Sequence, residues 1–207
     1  MERLITAPGP DQTLDTKVSF EAYLEAPGEE RFTEWVEGEI VVMSPASIRH
    51  QIVSSFLERL LGFYVERKEL GVVLRAPVAM RLPGLERARE PDLLFVHNDH
   101  VDRLRETFLD GPADLAIEII SPESISRDRG EKFVEYEQAG IPEYWLIDPI
   151  REAAEFWVAD ETGHYRLAST DPSGWFTSHV VDGFRLRVAW LWSTPPLYGI
   201  LRDLDLL

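Results

Sequence analysis

The sequence predicts an α/β or α+β domain, a mixed β-sheet flanked by helices, on three observations. Helix-period and strand-period segments alternate through roughly the first three quarters of the chain. Two short apolar runs, Arg89–Val96 and Leu115–Ile120, read as strands, and the second is apolar on both faces apart from Glu118, as a central buried strand should be. From Arg151 onward the texture turns to β-rich runs joined by Asp, Gly and Pro. The 207 residues suffice for one real core. We expect a loose arm over 1–16 and one domain over 17–207, with 151–207 as its β-rich extension.

In order along the chain, Ser19 caps a short helix carrying Phe20, Tyr23 and Leu24, which Pro27-Gly28 ends. Arg31–Val36 and Ile40–Met43 form a hairpin around Glu37-Gly38-Glu39. Ser44-Pro45-Ala46-Ser47 breaks the strand and caps a long helix with Ile48, Ile52, Phe56, Leu60 and Tyr64 on its apolar face. Val72–Leu82 alternates as a strand, with Pro77 marking an edge or bulge. Pro83-Gly84 turns into Arg89–Val96, and His97–Leu109 is loop with a short helix. Ser121-Pro122 stops the Leu115–Ile120 strand. Asp128–Ala139 is helical, with Gly140 and Pro142 as stop signals, and Tyr144–Ile147 is a further strand. Ala154–Val158, Tyr165–Ala168, Phe176–Val181 and Phe184–Val188 are antiparallel hairpins extending the same sheet.

Charge and composition narrow the function. With 21 basic and 37 acidic residues the net charge is −16, which argues against a generic polyanion-coating protein and leaves only local basic patches. Two such patches flank the apolar strands: Arg81, Arg87 and Arg89, then Arg127, Arg129 and Lys132. Trp145 and Trp157 lie inside β-runs and read as core before they read as base-stacking platforms. The absence of cysteine excludes disulfides, thiolate catalysis and Cys-ligated zinc. No basic-plus-apolar leader and no membrane-length apolar run is present, so we expect a soluble, cytoplasmic protein with no membrane partner.

Asp92 and Glu118 carry the chemistry. A carboxylate flanked by Ala116, Ile117, Ile119 and Ile120 faces a large desolvation cost unless something neutralises it. Strand alternation puts Glu118 and Ile120 on one face. If Asp92 ends the neighbouring strand, the two acids converge, and a backbone carbonyl near Ile119 supplies a third oxygen. Hard oxygen ligands of this kind suit Mg²⁺ or Mn²⁺. The structural alternative is a pair of buried acids, each tied to an arginine or to backbone donors.

Six segments carry a resemblance. They are Glu34-Trp-Val-Glu-Gly-Glu39, Ser44-Pro45 with His50, Glu90-Pro-Asp-Leu-Leu-Phe-Val96, Ile117-Glu-Ile-Ile-Ser-Pro122, Asp128-Arg-Gly-Glu-Lys132 and Gly140-Ile-Pro-Glu-Tyr-Trp-Leu-Ile-Asp-Pro149. Together they resemble, in order and from about Phe20 to Leu191, the Uma-type restriction-endonuclease family within the PD-(D/E)xK nuclease superfamily. The resemblance implies a restriction-endonuclease-like core and divalent-metal-dependent hydrolysis of DNA, with Asp92, Glu118 and the Ile119 carbonyl as metal ligands. It departs from the superfamily at Ile120, which stands where the motif lysine belongs. Lys132, one turn after Asp128, is the candidate for that charge; an ordinary i, i+4 pair with Asp128 is the alternative. Glu34 is implied as an additional metal- or water-positioning acid, and His50 as an imidazole near phosphate or a metal-site acid. Each has an alternative as a solvated strand acid or a packed histidine. By analogy with enzymes that cut both strands, a homodimer is expected. A catalytically inactive nuclease-like domain serving as a binding or regulatory module is the second reading.

Overall fold

The structure, a computed structural model, describes residues 17–25, 33–43 and 46–207. The expected N-terminal arm, the Pro27-Gly28 stop and the Ser44-Pro45 break lie outside them. Helix α1 (Phe20–Glu25) starts after Ser19, whose hydroxyl accepts the Ala22 N–H. Strands β1 (Thr33–Val36) and β2 (Glu39–Val42) form the expected hairpin, closed by Glu37 and Gly38, both at positive φ. Helix α2 (Ile48–Lys68) is capped by the Ser47 hydroxyl, which accepts the His50 N–H. It is followed by β3 (Gly71–Arg75), β4 (Ala79–Leu82), β5 (Arg87–Arg89) and β6 (Leu93–His97). Gly71 is required: at φ 155° a Cβ would lie 2.1 Å from the Val96 carbonyl oxygen. After a 3₁₀ turn (Asn98–Arg103) come β7 (Phe108–Asp110) and β8 (Leu115–Ile119). A π turn (Arg127–Glu131) leads into α3 (Lys132–Ala139), then β9 (Glu143–Asp148), β10 (Ala153–Ala159), β11 (Tyr165–Ala168), β12 (Trp175–Thr177) and β13 (Arg185–Arg187). Helices α4 (Trp190–Ser193) and α5 (Leu197–Asp203) close the chain.

Two mixed sheets form where the sequence suggested one. The larger has the order β11-β10-β9-β8-β6-β3, with β8 and β9 parallel; the smaller has the order β2-β1-β5-β4-β7, with β4 and β7 parallel. Prolines divide them. The Val72–Leu82 run splits near Pro77 into β3 and β4, and Arg89–Val96 splits at Pro91 into β5 and β6, each half joining a different sheet. Pro has no N–H to offer a ladder, so these are natural crossing points. In the C-terminal extension, β10 and β11 lengthen the large sheet, whereas β12 and β13 pair only with each other.

One face of the large sheet packs on α2 and the C-terminal layer, through Phe56, Leu60, Phe95, Ile117, Trp145, Phe176 and Phe184. The other face packs on α3 and the small sheet, through Ala116, Ile120, Tyr136, Tyr144 and Leu82. The apolar stripe of α2 begins later than its spacing suggested. Ile48 and Ile52 are exposed, at 81% and 50%, while His50 and Val53 are buried. Trp145 is wholly buried, as a core residue rather than a stacking surface.

Candidate active site

The chain crosses from the small to the large sheet through Glu90-Pro91-Asp92, which sets Asp92 at the seam between them. Leu93 pairs with Ile117 in the antiparallel β6–β8 ladder, so Asp92 falls opposite Glu118 and on the same face. The Ile119 N–H donates to Asp92 Oδ2 at 2.7 Å. Because N–H and C=O of a strand residue share a side, the Ile119 carbonyl also opens toward Asp92. His50 Nε2 lies 3.1 Å from Asp92 Oδ1 and 3.2 Å from Oδ2. Burial depresses the imidazole's basicity, but the bonded Asp92 carboxylate outweighs it and leaves His50 titrating above its usual value.

Glu118 is 4% exposed and lies under α3. Its Oε1 accepts from Lys132 Nζ at 2.9 Å and from the Tyr136 hydroxyl at 2.8 Å, both donors coming from that helix. Lys132 Nζ also lies 2.8 Å from Glu34 Oε1 and 3.6 Å from Asp128 Oδ1. Asp128 stands four residues before Lys132 and so shares its side of the chain, and the turn between them is a π turn, the Lys132 N–H reaching the Arg127 carbonyl. Burial, aided by the charges of Asp128, Asp92 and Glu34, overcomes Lys132 and pushes Glu118 up to about 8. Lys132 is held firmly as an ammonium, because the carboxylates around it outweigh its own burial. Glu34 moves the other way. Burial opposes its charge, yet Lys132 and Arg89 bring it down to about 2.

Asp92, Glu118, Lys132, Asp128 and His50 line one cavity of about 110 Å³, and Glu34 touches it through Lys132. Neither Asp92 nor Glu118 is clamped by an arginine among the described residues. Arg89 clamps Glu34 instead, at 2.8 Å, and is only 1% exposed while also binding Glu135. It is thus a buried strut and not part of a basic surface patch. Arg87 is likewise engaged, by Glu37 and Glu135.

Four residues carry roles that spacing alone did not reveal. Tyr136 supplies Glu118 with its second donor, and Glu135 anchors Arg89. Glu90 lines the cavity and is raised by burial to about 7, accepting from the Tyr23 hydroxyl at 3.1 Å. The Asp128–Lys132–Tyr136 spacing was the available signal for Tyr136; nothing local marks Glu90 or Arg89.

The donor set fits a hard divalent cation. Glu90, Asp92, Glu118 and Asp128 all line the cavity, and Asp128 Oδ1 and Glu90 Oε2 are buried without a hydrogen-bond partner among the described residues. Both hydrogen bonds to Glu118 end on Oε1, leaving Oε2 uncommitted among those residues. No three His, Asp or Glu side chains among the described residues form a ready-made cage.

The fold itself has a solved counterpart. The chain is similar to a structure described as "a putative nuclease belonging to DUF820" from Anabaena variabilis, with TM-score 0.69 and 16% identity. The match covers 85% of this chain and 98% of the other, and it defines a restriction-endonuclease-like domain. No curated protein matches the chain. Residues 20–189 match the model of the Uma2 family, described as "Putative restriction endonuclease", and the chain belongs to that family. Among the described residues no helix is long and apolar enough to cross a membrane.

Proposed function

We propose that this chain is a divalent-metal-dependent DNA endonuclease that hydrolyses phosphodiester bonds by attack of water, with no covalent intermediate. The observation that carries the reading is the meeting of Asp92 and Glu118, from neighbouring strands, beside the Lys132 ammonium of the facing helix. Asp92, Glu118 and the Ile119 carbonyl would hold Mg²⁺ or Mn²⁺. Such an ion supplies Lewis acidity toward a non-bridging phosphate oxygen and lowers the pKa of a bound water.

The chain's own residues divide the remaining work. The Ile119 N–H and His50 fix the Asp92 carboxylate in one orientation. Tyr136 and Lys132 do the same for Glu118 through Oε1, leaving Oε2 for the cation. Lys132 places a fixed positive charge where negative charge develops on phosphate. Glu34, itself anchored by Arg89, keeps that ammonium in place. Asp128 Oδ1 offers an unused acceptor for a water.

The test is nicking of supercoiled plasmid in Mg²⁺ or Mn²⁺, with Asp92→Asn and Glu118→Gln as controls. Cleavage that persists in both variants, or in excess chelator, sinks the mechanism. One observation favours the second reading, a nuclease-like binding module: the Lys132 ammonium is already surrounded by three carboxylates. That reading predicts DNA binding indifferent to metal and no nicking even in Mn²⁺. A homodimer is the expected state for double-strand cutting, read by light scattering.

A further inference from the structure

Four carboxylates line the candidate site, and a DNA strand must still reach it. Three cationic or potentially cationic side chains line the cavity: Lys132, His50 and Arg75. Lys132 is buried under its carboxylates and His50 is occupied by Asp92. Arg75 alone among them faces solvent, its side chain 61% exposed.

Its position is fixed by the ladder rather than by chance. Arg75 is the last residue of β3, paired with Leu93, the residue following Asp92. The next residue, Ala76, donates its N–H to the Asp92 carbonyl at 3.2 Å. The Arg75 Cα is thereby tied beside the candidate metal-binding carboxylate, while the guanidinium is free to swing. Its present partner is Glu58, at 3.3 Å, on a side chain itself 40% exposed. An exposed pair of this kind contributes little. It breaks readily for a better anion.

The far wall of the mouth is α2. Gln51, Ser54 and Glu58 succeed one another at three- and four-residue spacing, forming one stripe of that helix, and the first two line the cavity. We infer that Arg75 leaves Glu58 to grip the DNA phosphate next to the scissile one, with the Gln51 and Ser54 side chains as neutral partners on α2. Arg75 would be a positioning residue for the strand, and Glu58 the carboxylate that the incoming phosphate displaces. A guanidinium suits this task because its fork donates two parallel hydrogen bonds to phosphate oxygens. The inference rests on the endonuclease reading and names a backbone contact, so it affects all sequences alike.

The experiment is anisotropy of a fluorescein-labelled DNA duplex in Ca²⁺, titrated over a series of salt concentrations, with plasmid nicking in Mn²⁺ run in parallel. Arg75→Ala should weaken binding roughly 5- to 10-fold at low salt. It should also reduce the slope of log K against log salt by about 0.9, the signature of one lost phosphate contact. Arg75→Lys should keep the slope while losing part of the affinity, and Glu58→Gln should tighten binding. Arg75→Ala with unchanged affinity, or with weaker binding at an unchanged slope, overturns the inference and leaves the endonuclease reading intact. Failure of the parent chain to bind the duplex also overturns it. Nicking in Mn²⁺ then tells whether the endonuclease reading falls with it.

Discussion

Lys132→Met separates the site's electrostatics from its packing. Methionine keeps much of the buried stem and removes the ammonium. In the parent chain that ammonium lies 2.8 Å from Glu34, 2.9 Å from Glu118 and 3.6 Å from Asp128. After substitution Glu34 keeps Arg89 and Glu118 keeps the Tyr136 hydroxyl, while Asp128 Oδ1 loses its nearest cation. Removing one partner of a buried ion pair costs about 3–5 kcal/mol. Glu118 can relieve part of this by holding a proton, since it titrates near 8 even beside Lys132. The full cost therefore appears at about pH 9 and a smaller one at about pH 6. For a chain of this size 1 kcal/mol moves Tm by about 2–4 °C, so melting should fall by roughly 6–20 °C at the higher pH. Thermal melts followed by circular dichroism at both pH values read this, and nicking should be lost at both. A Tm change below about 2 °C at the higher pH, or a larger loss at the lower one, would refute the account of Lys132 as the site's buried counter-charge.

Other expectations follow from the same charges. Glu118 holds its proton more tightly folded than unfolded, so parent stability declines as pH climbs from the ordinary value of 4.5 to about 8. Glu118→Gln should erase that slope and be more stable than the parent at about pH 9, by at most about 5 kcal/mol, while abolishing nicking; urea melts across pH check it. Glu34 has the opposite sign: its stabilising charge is fully present above 4.5 and is lost as pH falls toward about 2. Glu34→Gln should flatten the acid limb of the stability curve by up to about 3 kcal/mol in the same melts. Millimolar Mg²⁺ or Mn²⁺ should raise the parent's Tm in a concentration-dependent way. The rise should be larger at about pH 8 than at about pH 6, where the ion competes with a proton on Glu118. Asp92→Asn should lose it, and calorimetric titration of the metal tests the point directly.

The strand assignments around the site were legible because their signals are local. Leu115–Ile120 is apolar on both faces, and the structure buries every residue of β8 between two layers. The acid inside it was conspicuous for the same reason. What local pattern could not reveal was the seam between sheets. Pro77 marked only an edge or bulge and Pro91 lay inside one expected strand; the pairing partners show that the chain changes sheet at each. The first turn of α2 misled in the opposite way. Ile48 and Ile52 continue the apolar spacing, yet both stay exposed, and His50 turns inward to meet Asp92. Arg89 looked like a surface cation among arginines. Its burial depends on Glu34, Glu131 and Glu135, which are distant in sequence and meet only once β1, β5 and α3 are assembled.

The lysine missing from the β8 strand shows why position in the fold matters more than position in the motif. A side chain at 120 and one at 118 share a face, about 7 Å apart along the strand. Helix α3 covers that same face, so an amine projecting from the helix reaches Glu118 from above as well as one from the strand could from beside it. With isoleucine at 120, buried in one cluster with Tyr136, that side of the acid is apolar. An apolar flank strengthens the Lys132–Glu118 contact and also raises the cost of ionising Glu118. The π turn completes the exchange. Across it Asp128 keeps the i, i+4 spacing to Lys132, and both side chains line the cavity. Moving the charge from strand to helix thus keeps an ammonium beside the acids and sets Asp128 on the cavity wall with Glu90, Asp92 and Glu118.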